Sequence, residues 1–124
     1  MDIIAELIEC LNNIDYKFFD EDSLNELLDS RDSAPFDTEW CRVAEEISAL
    51  KNDQNYPVEK EEEQDEIREK AFMIIEQNME SELADYVSDD FGLIYDSLVL
   101  DYNDEWLDKM IEEYRNGRIP AGEL

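Results

Sequence analysis

The sequence predicts an all-α protein: a compact bundle of five or six helices in a single domain spanning residues 1–124. Apolar residues recur at spacings of three and four along most of the chain, which is the period of an amphipathic helix. No segment shows convincing strand alternation, and only three glycines are available for hairpin turns. A length of 124 residues fits one domain, and neither a linker nor an internal repeat divides it.

The first half of the chain shows three helical stripes separated by polar breaks. The first stripe ends at Asn12, and the connection DYKFFDED follows it. Asp22 or Ser23 is the expected cap of the second helix, and Asp37 or Thr38 that of the third. The three stripes consist of Ile3, Ile4, Leu7, Ile8 and Leu11; of Leu24, Leu27 and Leu28; and of Trp40, Val43, Ala44, Ile47 and Leu50.

The second half predicts a long fourth helix and two further ones. Pro57 suits the first residue of the fourth helix. Ser88 is the expected cap of the fifth helix and Asn103 that of the sixth, which Gly117 ends. The segment LIYDSLVLDY has some strand-forming residues, but helix is preferred. The stripes consist of Ile67, Ala71, Ile74, Ile75, Met79, Leu83, Tyr86 and Val87; of Phe91, Ile94, Tyr95 and Leu98; and of Trp106, Leu107, Met110, Ile111 and Tyr114.

The charge balance is strongly acidic and restricts the partners. The chain has 36 acidic and 10 basic residues, which gives a formal net charge of −26. Such a field repels phosphates, so it argues against direct binding of nucleic acid or of an anionic membrane. It attracts basic proteins instead. Self-repulsion opposes compact folding, which favours a functional reason for the charge, although plain solubility or a halophilic source also accounts for it.

The N-terminal segment MDIIAELIECL is acidic and amphipathic. It lacks the basic start and small-residue cleavage site of a secretory signal, and no apolar run in the chain approaches membrane-spanning length. A cytoplasmic protein is therefore predicted. Cys10 and Cys41 lie among apolar residues at helical spacing, so both are expected to be buried thiols.

Nothing in the sequence selects a catalytic or metal site. The chain has no histidine, so it lacks the commonest general base and the commonest transition-metal ligand. Asp101, Asn103, Glu105 and Glu112 fit positions of a calcium-binding loop, but Trp106 stands where that loop requires glycine. We therefore predict no enzyme activity, no cofactor and no specific metal.

Two clusters combine carboxylates with large aromatic rings, and they are the predicted partner-binding residues. Acids beside an exposed ring form a polar rim that steers and holds a basic protein. Trp106 itself is expected in the core, because its spacing is that of the helix stripe. The run EKEEEQDE, residues 59–66, contains no aromatic residue, so a solvated helix face explains it. The predicted site residues are Asp20, Glu21 and Asp22 in the first cluster and Asp101, Tyr102, Asp104, Glu105, Asp108 and Glu112 in the second.

The segment DDFGLIYDSLVLDYNDEWLDKMIEEYRNGRIP, residues 89–120, resembles the C-terminal part of small acidic helical immunity proteins. Those proteins belong to bacterial toxin–immunity systems, including contact-dependent growth inhibition. The resemblance implies a cytoplasmic antidote that binds one cognate toxin domain. We expect the free protein to be a monomer. Such toxins are often nucleases and hence basic. The expected mechanism is electrostatic occlusion of the toxin's substrate-binding or active-site surface.

Two other functions fit the same acidity. A nucleic-acid mimic of the anti-restriction or anti-CRISPR type would display carboxylates in rows spaced like phosphates, and residues 59–66 are the best such row. An acidic adaptor or chaperone for a basic protein is the third interpretation. An immunity protein binds one partner tightly, whereas a mimic binds several unrelated DNA-binding proteins.

Overall fold

A computed structural model describes residues 2–79 and 81–124. Within these residues the chain is helical and contains no strand, which confirms the all-α prediction. A short 3-10 helix, Tyr16–Phe18, joins the first two α-helices. The α-helices are α1 (Asp2–Asn12), α2 (Glu21–Arg31), α3 (Phe36–Asp53), α4 (Val58–Asn78), α5 (Ser81–Val99) and α6 (Glu105–Arg115).

Helix α5 lies at the centre of the bundle. From Asp90 to Ser97 every residue of α5 is buried, so this part of the helix is covered on all sides. Helix α4 packs along α5, and α3 also contacts it. Helix α1 packs on α4 and α6, and α2 packs on α3. Two edge-to-face aromatic pairs, Phe36 with Trp106 and Phe91 with Tyr114, each have ring centroids 5.2 Å apart.

The caps predicted for α2 and α3 are wrong. The Asp20 carboxylate caps α2 by accepting a hydrogen bond from the Ser23 N–H at 2.7 Å. Its backbone is extended, with φ −91° and ψ 178°, as a capping residue requires. Asp22 lies inside the first turn. Helix α3 begins at Phe36 without a side-chain cap, and Asp37 falls within it.

The cap predicted for the sixth helix is wrong by one residue. Asp104, and not Asn103, caps α6 by accepting from the Leu107 N–H at 3.0 Å. Where acids and asparagine follow one another, several residues have the right chemistry. Only the one with extended backbone next to the helix takes the position.

The predicted boundary between the fourth and fifth helices is also wrong. The break lies after Asn78, where Met79 has an extended backbone. Helix α5 then continues through Ser88, which is buried inside it. The error arose because the apolar residues on both sides of the real break keep helical spacing. The end of α6 is as predicted, with Gly117 at φ +73°.

The cysteines differ in exposure. Cys10 is half-buried, and Cys41 is exposed, so the prediction of a buried thiol is wrong for Cys41. Cys41 follows Trp40 directly and lies off the helical stripe, on the outer side of α3. Among the described helices, none is long and apolar enough to cross a membrane.

All six tyrosines of the chain have raised pKa values. Burial raises the pKa of Tyr16 and Tyr95 to about 12. A hydrogen bond to Asp32 raises the pKa of Tyr86 to about 12. Burial and a hydrogen bond to Glu46 raise the pKa of Tyr102 to about 12. Folding thus favours the neutral phenols. Tyr56 and Tyr114 are shifted upward as well, each by burial and a carboxylate partner.

Alkaline titration should therefore unfold the protein as its phenols ionise. In an unfolded chain tyrosine has a pKa of about 10. The stabilisation from these groups is complete below about pH 10 and is lost as pH rises through about 12. Absorbance at 295 nm should rise mainly above pH 11, together with loss of the helical signal. A tyrosine ionising near pH 10 with the helical signal intact would contradict this result.

Candidate partner-binding surface

A buried ion pair joins four helices and positions a tryptophan at the surface. Asp90 is fully buried and accepts from Arg31 Nη1 at 2.9 Å and Nη2 at 2.7 Å. It also accepts from the Trp40 indole N–H at 2.9 Å and from the Tyr114 hydroxyl at 2.5 Å. Arg31 further donates to the Pro120 carbonyl oxygen at 2.9 Å. This Asp90 cluster fixes the half-buried Trp40 ring.

A second buried carboxylate joins α3, α4 and α5. Asp96 is 4% exposed and accepts from Lys51 Nζ at 2.9 Å, from the Tyr56 hydroxyl at 2.6 Å and from Gln64 Nε2 at 2.7 Å. Its three partners come from the end of α3, the following loop and α4. Asp96 is thus a structural residue, and its charge is not available to a partner.

The start of α6 is tied to α3 by Arg42. The Arg42 guanidinium donates to both oxygens of Asp104, at 2.9 and 3.2 Å, and to Glu39 at 2.6 Å and Glu46 at 3.0 Å. The Tyr102 hydroxyl donates to Glu46 at 2.5 Å. Burial disfavours ionisation of Asp104, yet Arg42 and the backbone N–H groups of α6 hold its pKa below the usual range. Two predicted site residues, Tyr102 and Asp104, therefore hold the fold together.

The other predicted residues of this cluster face solvent. Glu105, Asp108 and Glu112 are exposed, at successive turns of α6, and we refer to them as the α6 acidic face. The side chains of Glu105 and Glu112 are 90% and 61% exposed. Asp101 is exposed just before the helix. Trp106 lies in the core at 8% exposure, as expected from its spacing.

The second predicted cluster remains separate from the first. Asp20, Glu21 and Asp22 are exposed at the start of α2. Within the described residues no hydrogen bond or ion pair connects them to α6. The Ser23 N–H and hydroxyl lower the pKa of Asp20, in keeping with its capping role. The structure therefore presents two acidic patches.

The acidic run of α4 is solvated. Every carboxylate between Glu59 and Glu66 is exposed. Lys60 lies 3.2 Å from Glu63, and this is the run's internal ion pair within the described residues. The run thus contributes to the negative field, and two of its carboxylates, Glu63 and Glu66, line an open groove between α1 and α4.

A cleft beside Trp40 was not predicted from the sequence. It has a volume of about 170 Å³ and combines aromatic rings with carboxylates. A shallower groove between α3, α4 and α5 continues from it and shares Trp40 and Asp89. We call the first of these the Trp40 cleft. Its lining residues are Arg31, Asp32, Phe36, Asp37, Trp40, Cys41, Tyr86 and Asp89.

The cleft escaped prediction because its residues come from α2, α3 and α5, far apart in the sequence. One signal was present: Asp90 occupies a stripe position, three residues after Val87 and four before Ile94. A carboxylate at a core position requires a buried cation, and Arg31 supplies it.

The described residues offer no arrangement for catalysis or metal binding that stands out. No group of three or more cysteine, aspartate or glutamate side chains among residues 2–79 and 81–124 is placed to hold a metal ion. The chain has no histidine to serve as base for a nucleophile. What the surface offers is charge, a cleft and a fixed tryptophan, which are features of protein recognition.

The chain matches the model of a known protein family. The model of one protein family, described as Immunity protein PIM1, matches residues 3–121. No curated protein and no solved structure matches the chain significantly.

Proposed function

Because the chain belongs to the family of Immunity protein PIM1, we propose that it binds and neutralises one cognate toxin domain. The match covers nearly the whole chain and carries the proposal. The protein acts as an inhibitor and not as an enzyme. It works in the cytoplasm, as a monomer until it meets the toxin.

The toxin domain is basic, and we propose that it is a nuclease. The charge of −26 gives the inhibitor a strong negative field. The ten basic side chains, which this value already includes, are too few to neutralise the 36 acidic ones. In the described residues, eight of the ten form ion pairs with carboxylates of the same chain. A nuclease presents cations to bind phosphates, so the two surfaces attract each other.

The proposed mechanism is occlusion of the toxin's substrate-binding or active-site surface. The contact surface includes the α6 acidic face with Asp101, and Asp20, Glu21 and Asp22 extend the field at the start of α2. Tyr102 and Asp104 support this face from inside by their bonds to Glu46 and Arg42. Electrostatic steering raises association rates to roughly 10⁸–10⁹ M⁻¹s⁻¹ at low salt. Fast capture protects a cell that makes its own toxin.

The test is co-expression with the toxin domain encoded by the adjacent upstream gene. We expect a one-to-one complex, restored growth, and loss of the toxin's nuclease activity in vitro. The association rate should fall steeply as salt is added, because the attraction is between exposed charges. Absence of a complex would refute the proposal. Equal binding to several unrelated DNA-binding proteins would indicate a nucleic-acid mimic instead.

A further inference from the structure

The Trp40 cleft is lined by aromatic residues that suit a guanidinium group. Phe36, Trp40 and Tyr86 contribute rings to it. Two of these rings already contact a guanidinium: the Arg31 Cζ lies 4.5 Å from the Phe36 centroid and 5.3 Å from the Tyr86 centroid. Planar cations stack on aromatic faces with favourable energy. The half-buried Trp40 ring offers the same stacking chemistry to a second arginine side chain.

The cleft also carries excess negative charge. One arginine and three aspartates line it, which leaves a formal charge of −2. The positive charge of Arg31 is neutralised by Asp90. Asp89 pairs with Arg68 at 2.7 Å, and Asp32 accepts from the Tyr86 hydroxyl. Asp37, by contrast, has within the described residues only the weak contact of the Cys41 thiol at 3.9 Å.

The cleft is organised before any partner arrives. The Asp90 cluster holds the Trp40 indole by its N–H, at 2.9 Å, in the wall of the cleft. Binding to a fixed ring loses little side-chain entropy, and such tryptophans are the residues most enriched at the energetic centres of interfaces.

We propose that the Trp40 cleft receives one arginine side chain of the toxin domain. The guanidinium contacts Trp40 and pairs with Asp37. Arginine is specified over lysine because its planar group combines stacking with paired hydrogen bonds to carboxylate. This inference rests on the proposed function for the identity of the partner, but the cleft's preference for arginine is testable without the toxin.

The first experiment uses N-acetylarginine methylamide as the probe, with N-acetylcitrulline methylamide as the uncharged control of the same shape. Nuclear magnetic resonance of labelled protein follows the indole N–H of Trp40, assigned with a Trp40→Phe variant. We expect saturable shifts at Trp40 and Cys41 with the arginine probe and none with citrulline. Asp37→Asn should lower the affinity for the arginine probe by about two- to fivefold, which is the range expected for the loss of an exposed ion pair. The matched change Glu69→Gln, at an exposed acid of α4, should leave its affinity unchanged.

Equal shifts with both probes, or shifts confined to α6, would overturn the proposal.

The second experiment uses the toxin complex. Cys41 lines the cleft and Cys10 does not. Iodoacetamide should therefore react more slowly with Cys41 in the complex than in the free protein, whereas its reaction rate with Cys10 should be unchanged. If the arginine probe binds but no toxin complex forms, the proposed function fails and the cleft's chemistry stands. If the complex forms and Cys41 stays reactive, the cleft is not in the interface.

Discussion

Replacing Asp90 with asparagine is expected to lower the free energy of unfolding by about 3–5 kcal/mol, because it leaves a buried arginine without its counter-ion. The carboxylate is fully buried and accepts from Arg31, Trp40 and Tyr114. Since the total stability of a domain is about 5–15 kcal/mol, this loss is a large part of it. Urea denaturation followed by the helical signal measures the change.

Two further variants identify the cause. Asp85→Asn makes the same chemical change at an exposed position of α5, and we expect an effect within about 0.5 kcal/mol. The double variant Arg31→Met with Asp90→Leu removes both charges together. It should recover part of the stability lost by Asp90→Asn: no unpaired charge remains, but the Trp40 indole and the Tyr114 hydroxyl lose their acceptor. Equal stability of Asp90→Asn and Asp85→Asn would show that the ion pair contributes little.

Reversing the charge of the α6 acidic face is expected to abolish protection against the toxin. The variant changes Glu105, Asp108 and Glu112 to lysine, and all three side chains are exposed. Asp104 is left intact, because it caps α6 and binds Arg42, so its loss would damage the fold. We expect the association rate to fall by roughly 10- to 1000-fold, the range over which charge steering acts. Stopped-flow binding to the toxin domain and growth of co-expressing cells measure the effect.

The control places the same three reversals on another helix. Glu59, Glu62 and Glu66 on α4 are exposed and have the same spacing, with the same change in net charge. This variant should slow association only modestly and should keep protection. If it loses protection while the α6 variant retains it, the interface lies on α4. If both variants protect fully, inhibition does not depend on these charges.

The fold could be predicted because helix spacing of apolar residues is a local property of the sequence. The stripe of α6, for example, contains Trp106, Leu107, Met110, Ile111 and Tyr114, and all five are buried. The helix boundaries were predicted less accurately, because capping depends on backbone angles as well as on the side chain. The N-caps of α2 and α6 are Asp20 and Asp104, although neighbouring residues have equally suitable side chains.

The candidate site could be predicted only in part, because exposure of an acid is decided by tertiary packing. Glu105, Asp108 and Glu112 were recognisable from spacing alone. Among 36 acidic residues, however, nothing in composition separates Asp90 and Asp96, the two that are buried among the described side chains, from the rest. Their cations, Arg31 and Lys51, are distant in sequence. The Trp40 cleft is built on one of these pairs, and the stripe position of Asp90 was its one signal in the sequence.

The division between buried and exposed carboxylates has a consequence for how this protein can change over generations. Asp90 and Asp96 have fixed partners, so a single neutral substitution at either position leaves its cation without the counter-ion, whichever toxin is met. Glu105, Asp108 and Glu112 support no buried contact, and a substitution at such an exposed position usually changes the stability by less than about 0.5 kcal/mol. A lineage can therefore exchange these surface acids one at a time as its toxin diverges, with little loss of stability at each step. Variation between relatives should be concentrated at the surface acids, while the acids at the Asp90 and Asp96 positions stay constant.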